Sequence, residues 1–366
     1  MLAGKPHLLL ALGPALLSFA CGGNGPGGAS SGMGITAPST PLPVGTPIPA
    51  GGSAGPSLAD LKAATYQGFA GWKEPVTLVD GRWENAGAKE SLVFGRDFRA
   101  VGDIDGDTVP EAVVVLTQTT SAGAVDYLAL VKRKEGKLKN VDTVRLGSSV
   151  EVRAARIEAA RVVLSAVHPG EGDPPCCPGE IVTWSYAFAE GKLGPAKVEG
   201  TPMRLGLDTL AGSEWVLHSW DLSEAAAGEP AITLAYDGGH FVGSSGCNRY
   251  SAGVNPGARP GDVAVEPIAG TLASCPDPQG TAETRYLKLL ASATRFSFLM
   301  GELSLAYPRE QGATGLLLFG SRAASAAAPA SPPATASPEA PAAPPAATPA
   351  TPPSGPSAAP ASPPAK

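Results

Sequence analysis

Histidine is scarce in this chain, with four in 366 residues, and only His168, His218 and His240 fall in segments that read as folded. No grouping of nucleophile, base and orienting acid can be recognised around them, so a hydrolase of the Ser–His–Asp or Cys–His kind is not expected. Charge is also sparse, at 16% of residues, and the balance of 33 acidic to 27 basic residues leaves a net charge of -6. Nucleic-acid binding needs clustered Lys and Arg to displace counterions, and no such cluster is present. The apolar run near the N-terminus is about 13 residues long, short of the 17 to 25 that cross a bilayer as a helix. The chain is thus expected to be a non-enzymatic, exported protein with no nucleic-acid partner.

What is present begins with that apolar run. Residues 1–20 (MLAGKPHLLLALGPALLSFA) carry one basic residue, Lys5, before it, which is the pattern of an export signal. Leu17-Ser18-Phe19-Ala20-Cys21 resembles the lipobox of bacterial lipoproteins, with Ser18 where that motif usually has Leu. The resemblance implies lipidation of Cys21, a stable acyl anchor and, with Gly22 following rather than Asp, an outer-membrane address facing the periplasm. Cleavage after Ala20 by an ordinary signal peptidase, giving a soluble periplasmic or secreted protein, is the alternative. Residues 21–56 are Gly, Ser, Pro and Thr with few large apolar groups and read as a lipidated tether with a reach of about 30 to 35 Å. Residues 321–366 are Ala- and Pro-rich and read as a disordered tail, either dispensable or a spacer.

Between these lie about 265 residues, enough for two domains: a β-rich segment 57–200, a linker 201–212, and a second domain 213–320. Four cysteines remain in an oxidising compartment, and proximity favours Cys247 with Cys275. Cys176 and Cys177 are adjacent and are left as a vicinal bridge, as thiols or, with His168 and Asp173, as a metal set.

In the first domain, β-rich runs at 112–116, 127–132, 150–153, 157–167 and 181–188 predict a mostly β fold with helix limited to 57–65. Asp103, Asp105, Asp107 and Glu111 stand at alternate positions of a D-x-D-G-D loop, a spacing that can wrap calcium. Thr108 and Val114 depart from the EF-hand pattern, and an aspartate-rich turn bonded to its own amides is the alternative reading. The loop resembles those of FG-GAP repeats, but one copy does not make a propeller. Together with Asp173-Pro174-Pro175-Cys176-Cys177-Pro178, it also resembles an uncharacterised exported domain, which implies organisation and not activity.

In the second domain, residues 231–236 and 240–242 flank Asp237-Gly238-Gly239 as a hairpin, and 281–293 has the period of an amphipathic helix. Trp215, Leu217 and Trp220 (W-x-L-x-x-W), Ser245-Gly246-Cys247-Asn248, Thr271 four residues before Cys275, and Glu283, Tyr286 and Leu290 follow in order. These motifs resemble the META domain, known from a heat-shock-induced bacterial lipoprotein. The resemblance implies an α+β fold with a strongly bent antiparallel sheet and one helix, and a cell-envelope role in assembly or stress tolerance. It implies no catalytic residues. Each motif residue also has a structural reading, the tryptophans as packing and Asn248 as a turn former. Two functions are carried forward: a periplasm-facing binding or assembly module with an envelope protein partner, and an inhibitor of exported enzymes.

Overall fold

The apolar run Ala112–Leu116 has no polar break because its strand is covered on both faces. In a computed structural model of the chain, the residues described are 55–322 apart from Pro175, Ala227 and Glu229. The signal, Cys21, the tether up to residue 54 and the tail from residue 323 lie outside the described residues. Among those described, no helix is long and apolar enough to cross a membrane.

Helix α1 (Leu58–Lys62) starts at Ser57, whose Oγ accepts the Asp60 amide at 3.1 Å. The short strands β1 (Thr65–Tyr66) and β2 (Val76–Thr77) pair with each other. A meander of β3 (Arg82–Asn85), β4 (Glu90–Gly102), β5 (Glu111–Thr120), β6 (Gly123–Lys134) and β7 (Lys137–Gly147) follows as a five-stranded antiparallel sheet. One face of this sheet, with Val114, Leu116 and Tyr127, packs under α1 and its neighbours through Leu61, Tyr66 and Leu78. The other face, with Val113, Val115 and Leu128, packs against Val152, Val162 and Leu164 of a second sheet.

That second sheet is built from β8 (Glu151–Glu158), β9 (Arg161–His168) and β10 (Glu180–Ala189), with the short strands β11 (Lys192–Leu193), β12 (Lys197–Val198) and β13 (Met203–Arg204) along β10. The apolar run at 157–167 is divided by a turn at Ala159 and Ala160, both at positive φ. Residues 201–212 carry β13, which pairs with β10, and a 3-10 turn at Leu207–Leu210. The turn sinks Leu207 and Leu210 into the core of the second domain, so this stretch is packed into both halves.

The second domain runs β14 (Glu214–Trp220), β15 (Glu224–Ala225), β16 (Thr233–Asp237), β17 (His240–Ser244), β18 (Arg249–Pro256), β19 (Val263–Val265), β20 (Ala269–Gly270), α2 (Gln279–Ala291), β21 (Arg295–Leu299), β22 (Glu302–Pro308) and β23 (Thr314–Arg322). Its antiparallel strands are ordered β19-β18-β17-β16-β14-β23-β22-β21 and curl into a half-barrel. Tyr286 and Leu290, four apart on α2, are wholly buried among Trp215, Phe241 and Phe319. The fold is mainly β with α+β character in the second domain.

The turn between β21 and β22 docks onto the first domain. The Gly301 amide donates to the Val152 carbonyl at 2.8 Å. A bulge in β4 between Phe94 and Arg99 turns Arg96 toward Glu302, at 2.9 Å. Gly95 lies under Met300 at the tip of the turn, where a Cβ would come within 2.9 Å of its sulfur.

Candidate functional site

One pole of the half-barrel is organised around Asn248. Gly246, at φ +93, reverses the chain after β17 and lets the Ser245 amide donate to the Asn248 carbonyl at 2.8 Å. Asn248 Oδ1 accepts from Thr271 Oγ1 at 2.7 Å and from the Ala273 amide at 2.8 Å. Its Nδ2 donates to the Ala273 carbonyl and to Glu283 Oε2, both at 3.1 Å. Ser245 Oγ bonds the other oxygen of Glu283, on α2. Cys247 and Cys275 are bridged. Three segments distant in sequence are therefore tied to one buried amide, and every polar atom of that side chain is used. Below it, Tyr250 and Tyr286 meet hydroxyl to hydroxyl at 2.7 Å. Burial pushes both phenols well above their ordinary range, so they stay neutral.

Beside this hub lies an apolar cleft of about 150 Å³, lined by Leu217, Trp220, Ile232, Gly246, Pro278 and Ala282 among others. Trp215, Leu217 and Trp220 alternate along β14 until the bulge between Leu217 and Ser219. Leu217 and Trp220 consequently reach the cleft, while Trp215 packs near Phe298. The Arg285 guanidinium stacks over Trp220 at 4.4 Å and is held by both oxygens of Glu224. The wall of the cleft is therefore braced rather than loose.

Residues 208–319 match the META domain. The match begins within the 3-10 turn that precedes β14 and ends inside β23, three residues before the last described one. A solved NMR structure of a protein from Burkholderia xenovorans is 23% identical, over 35% of this chain and 96% of its own, with a TM-score of 0.25. No curated protein matches the chain.

Outside the META domain, the carboxylates of the 103–111 loop bond the amides of their own loop, the three aspartates exposed and Glu111 buried. Asp103 accepts the amides of Gly106 and Thr108 at 2.7 and 2.9 Å, and Asp107 accepts that of Val109 at 2.8 Å. Buried Glu111 accepts the Ile104 amide at 2.9 Å. Asp103, Asp105 and Glu111 bring their oxygens close enough for one ion. The Lys132 ammonium, from β6, lies among them, paired with Asp105, with Asp107 at 2.7 Å and with Glu111 at 3.5 Å. Hydrogen bonds and charge from Lys132 hold the Asp107 carboxyl below its usual range, whereas burial lifts that of Glu111. Lys132 closes the β-rich run 127–132, and nothing in that run pointed to the aspartate loop.

Cys176 and Cys177 are bridged to each other. Asp173 accepts the amides of Gly170 and Gly179 at 2.8 Å and pairs with Arg204, and His168 pairs with Glu180 at 3.1 Å. Both are thus committed away from the cysteine pair. The other two described histidines are engaged separately, His218 with Glu302 at 2.9 Å and His240 with the Gly238 carbonyl at 3.3 Å.

Proposed function

We propose that this META-domain protein is a lipid-anchored module of the bacterial cell envelope, attached through Cys21 and facing the periplasm, that acts by binding and without turnover. The observation that carries the reading is the braced apolar cleft between Leu217, Trp220 and the start of α2. A preformed, mostly apolar recess next to a cross-linked loop suits capture of an apolar side chain or short aliphatic group. Among the described lining residues there is no nucleophile and no general base. The two disulfides support an oxidising compartment.

The test is photo-crosslinking in cells from a benzophenone amino acid placed at Gln279, on the cleft rim, with a Cys21→Ala control. One dominant envelope adduct, lost with the membrane address in the control, is expected. If the adduct is an exported enzyme whose activity falls on binding, the module is an inhibitor. Uniform labelling with no adduct above background would overturn the binding reading.

A further inference from the structure

Of the two described cross-links, the one between Cys176 and Cys177 adds least to the fold. Bridging two neighbours closes a ring with no residue between them, so it removes little freedom from the unfolded chain, whereas Cys247 and Cys275 are 28 apart in sequence. The loop around the adjacent pair is held by other groups. Asp173, whose side chain is 3% exposed, accepts the Gly170 and Gly179 amides at 2.8 Å and pairs with Arg204 at 2.6 Å. The Cys177 amide donates to the Pro174 carbonyl at 2.9 Å, and the Leu205 amide to the Gly179 carbonyl at 2.8 Å. Gly179 is also seated against Pro260 of the META domain, where a Cβ would come within 2.4 Å of the proline ring. Opening the bridge breaks none of these contacts.

A bridge that stabilises the folded chain is by linkage protected by that fold, and this one receives little such protection. The two cysteines also differ in access: Cys176 is exposed, whereas Cys177 is buried at 3%. An incoming thiolate therefore meets Cys176, and Cys177 is the group that leaves. By contrast, Cys247 and Cys275 are both partly buried, and Asn248 Nδ2 lies 3.2 Å from the Cys275 sulfur within the hub. One cross-link is thus built into a network, and the other sits open at one end on a loop that stands without it.

We propose that Cys176–Cys177 is a thiol–disulfide exchange site that takes two electrons from a dithiol. One thiolate of the donor attacks the Cys176 sulfur, the bond between Cys176 and Cys177 breaks, and Cys177 leaves as a thiolate that takes a proton from water. The donor's second thiolate then attacks the donor sulfur of the mixed disulfide and releases Cys176, which is protonated in turn. The pair is reduced to two thiols, the dithiol is oxidised to its disulfide, and the reverse sequence closes the bridge again. Asp173 is a positioning residue that keeps the loop in place through the cycle. The inference is independent of the apolar cleft.

The test is to equilibrate the native full-length chain with mixtures of reduced and oxidised dithiothreitol, quench in acid, alkylate, and read each pair from the peptide that carries the label. The 176–177 pair should open at a reduced-to-oxidised ratio at least tenfold below the ratio that opens 247–275, with the near-UV circular dichroism of the tryptophans retained. Cys177→Ser should take up one glutathione from oxidised glutathione on the peptide containing residue 176, and Cys176→Ser should take up none on that peptide. Opening of 176–177 together with or after 247–275 would overturn the proposal, as would a Cys177→Ser variant that takes up no more glutathione there than Cys176→Ser. Reduction by dithiothreitol and by reduced thioredoxin would mark a protein dithiol as a competent donor, and reduction by dithiothreitol alone a small one; either supports the exchange.

Discussion

Glu151, on β8 of the first domain, accepts a hydrogen bond from the backbone amide of Phe298 on β21 of the META domain at 3.0 Å. The carboxylate thereby meets an edge amide that the META sheet leaves unpaired. Arg295 approaches the same carboxylate at 3.8 Å and also reaches Asp262 at 3.5 Å, while Arg153 lies over the Phe298 ring at 4.6 Å. The two domains are therefore joined through a buried carboxylate and the cationic side chains around it.

Burial raises the Glu151 carboxyl from 4.5 to about 7, against the Phe298 amide and Arg295, which lower it. A carboxyl whose folded pKa lies above its unfolded value makes the folded state bind the proton more tightly. Its stabilising contribution is full below about pH 4.5 and is lost as the pH rises through about 7. The loss amounts to about 3 kcal/mol for this shift. Urea midpoints at pH 5 and pH 8.5 should show that fall in the wild type. Glu151→Gln, which keeps the acceptor for Phe298, should remove most of it, and an identical pH slope in both proteins would refute the assignment.

Asn248→Ala removes the acceptor shared by Thr271 and Ala273 and the donor to Glu283. Several of the groups left behind are shielded from water, so the cost should be about 2 to 4 kcal/mol. Chemical denaturation measures it directly. Asn248→Asp should also destabilise, because it sets a second carboxylate against Glu283 and loses the donor.

Lys132→Met leaves Asp105, Asp107 and buried Glu111 facing one another without a counter-ion. The melting temperature at neutral pH should drop by roughly 5 °C or more, and acidification should narrow the gap as Glu111 takes up a proton. In the wild type the ammonium already lies between the carboxylates, so millimolar calcium should leave the melting temperature unchanged. A clear calcium-dependent rise in the wild type would show that the lysine gives way to the metal.

Met300→Asp places a carboxylate between Gly95 and the second sheet of the first domain. Calorimetry of the wild type should give one cooperative transition for the described domains. The variant should broaden or split it, because each domain keeps its own core while the docking contact is lost. A single transition merely shifted downward would mean that the domains are coupled elsewhere.

Much of the META domain was legible because its signals are local. The Asp237-Gly238-Gly239 turn places β16 against β17, and the spacing of Tyr286 and Leu290 announces the buried face of α2. The disulfide partner of Cys247 was legible from proximity. The cleft was not, since it depends on a β14 bulge that brings Leu217 and Trp220 to one recess, and bulges leave little trace in composition. The turn at Ala159-Ala160 was hidden for a different reason: alanine seldom takes positive φ, so neither residue advertises a reversal. Lys132 and Glu151 lie far in sequence from the groups they meet, and only the strand register brings them together.

The first and last strands of the META domain are neighbours, with Glu214 opposite Arg322 and Trp220 opposite Leu317. A chain made N-terminus first can complete the two sheets of its first domain while the rest is still being synthesised. The half-barrel has no such option, because its middle is a seam between its two ends, and closing that seam spans about a hundred residues. Until residue 322 is released, β14 has a vacant edge and the Tyr286 side of α2 lacks Phe319 to pack against. Loss of even the last few residues of β23 would thus act on the centre of the sheet and not on its margin.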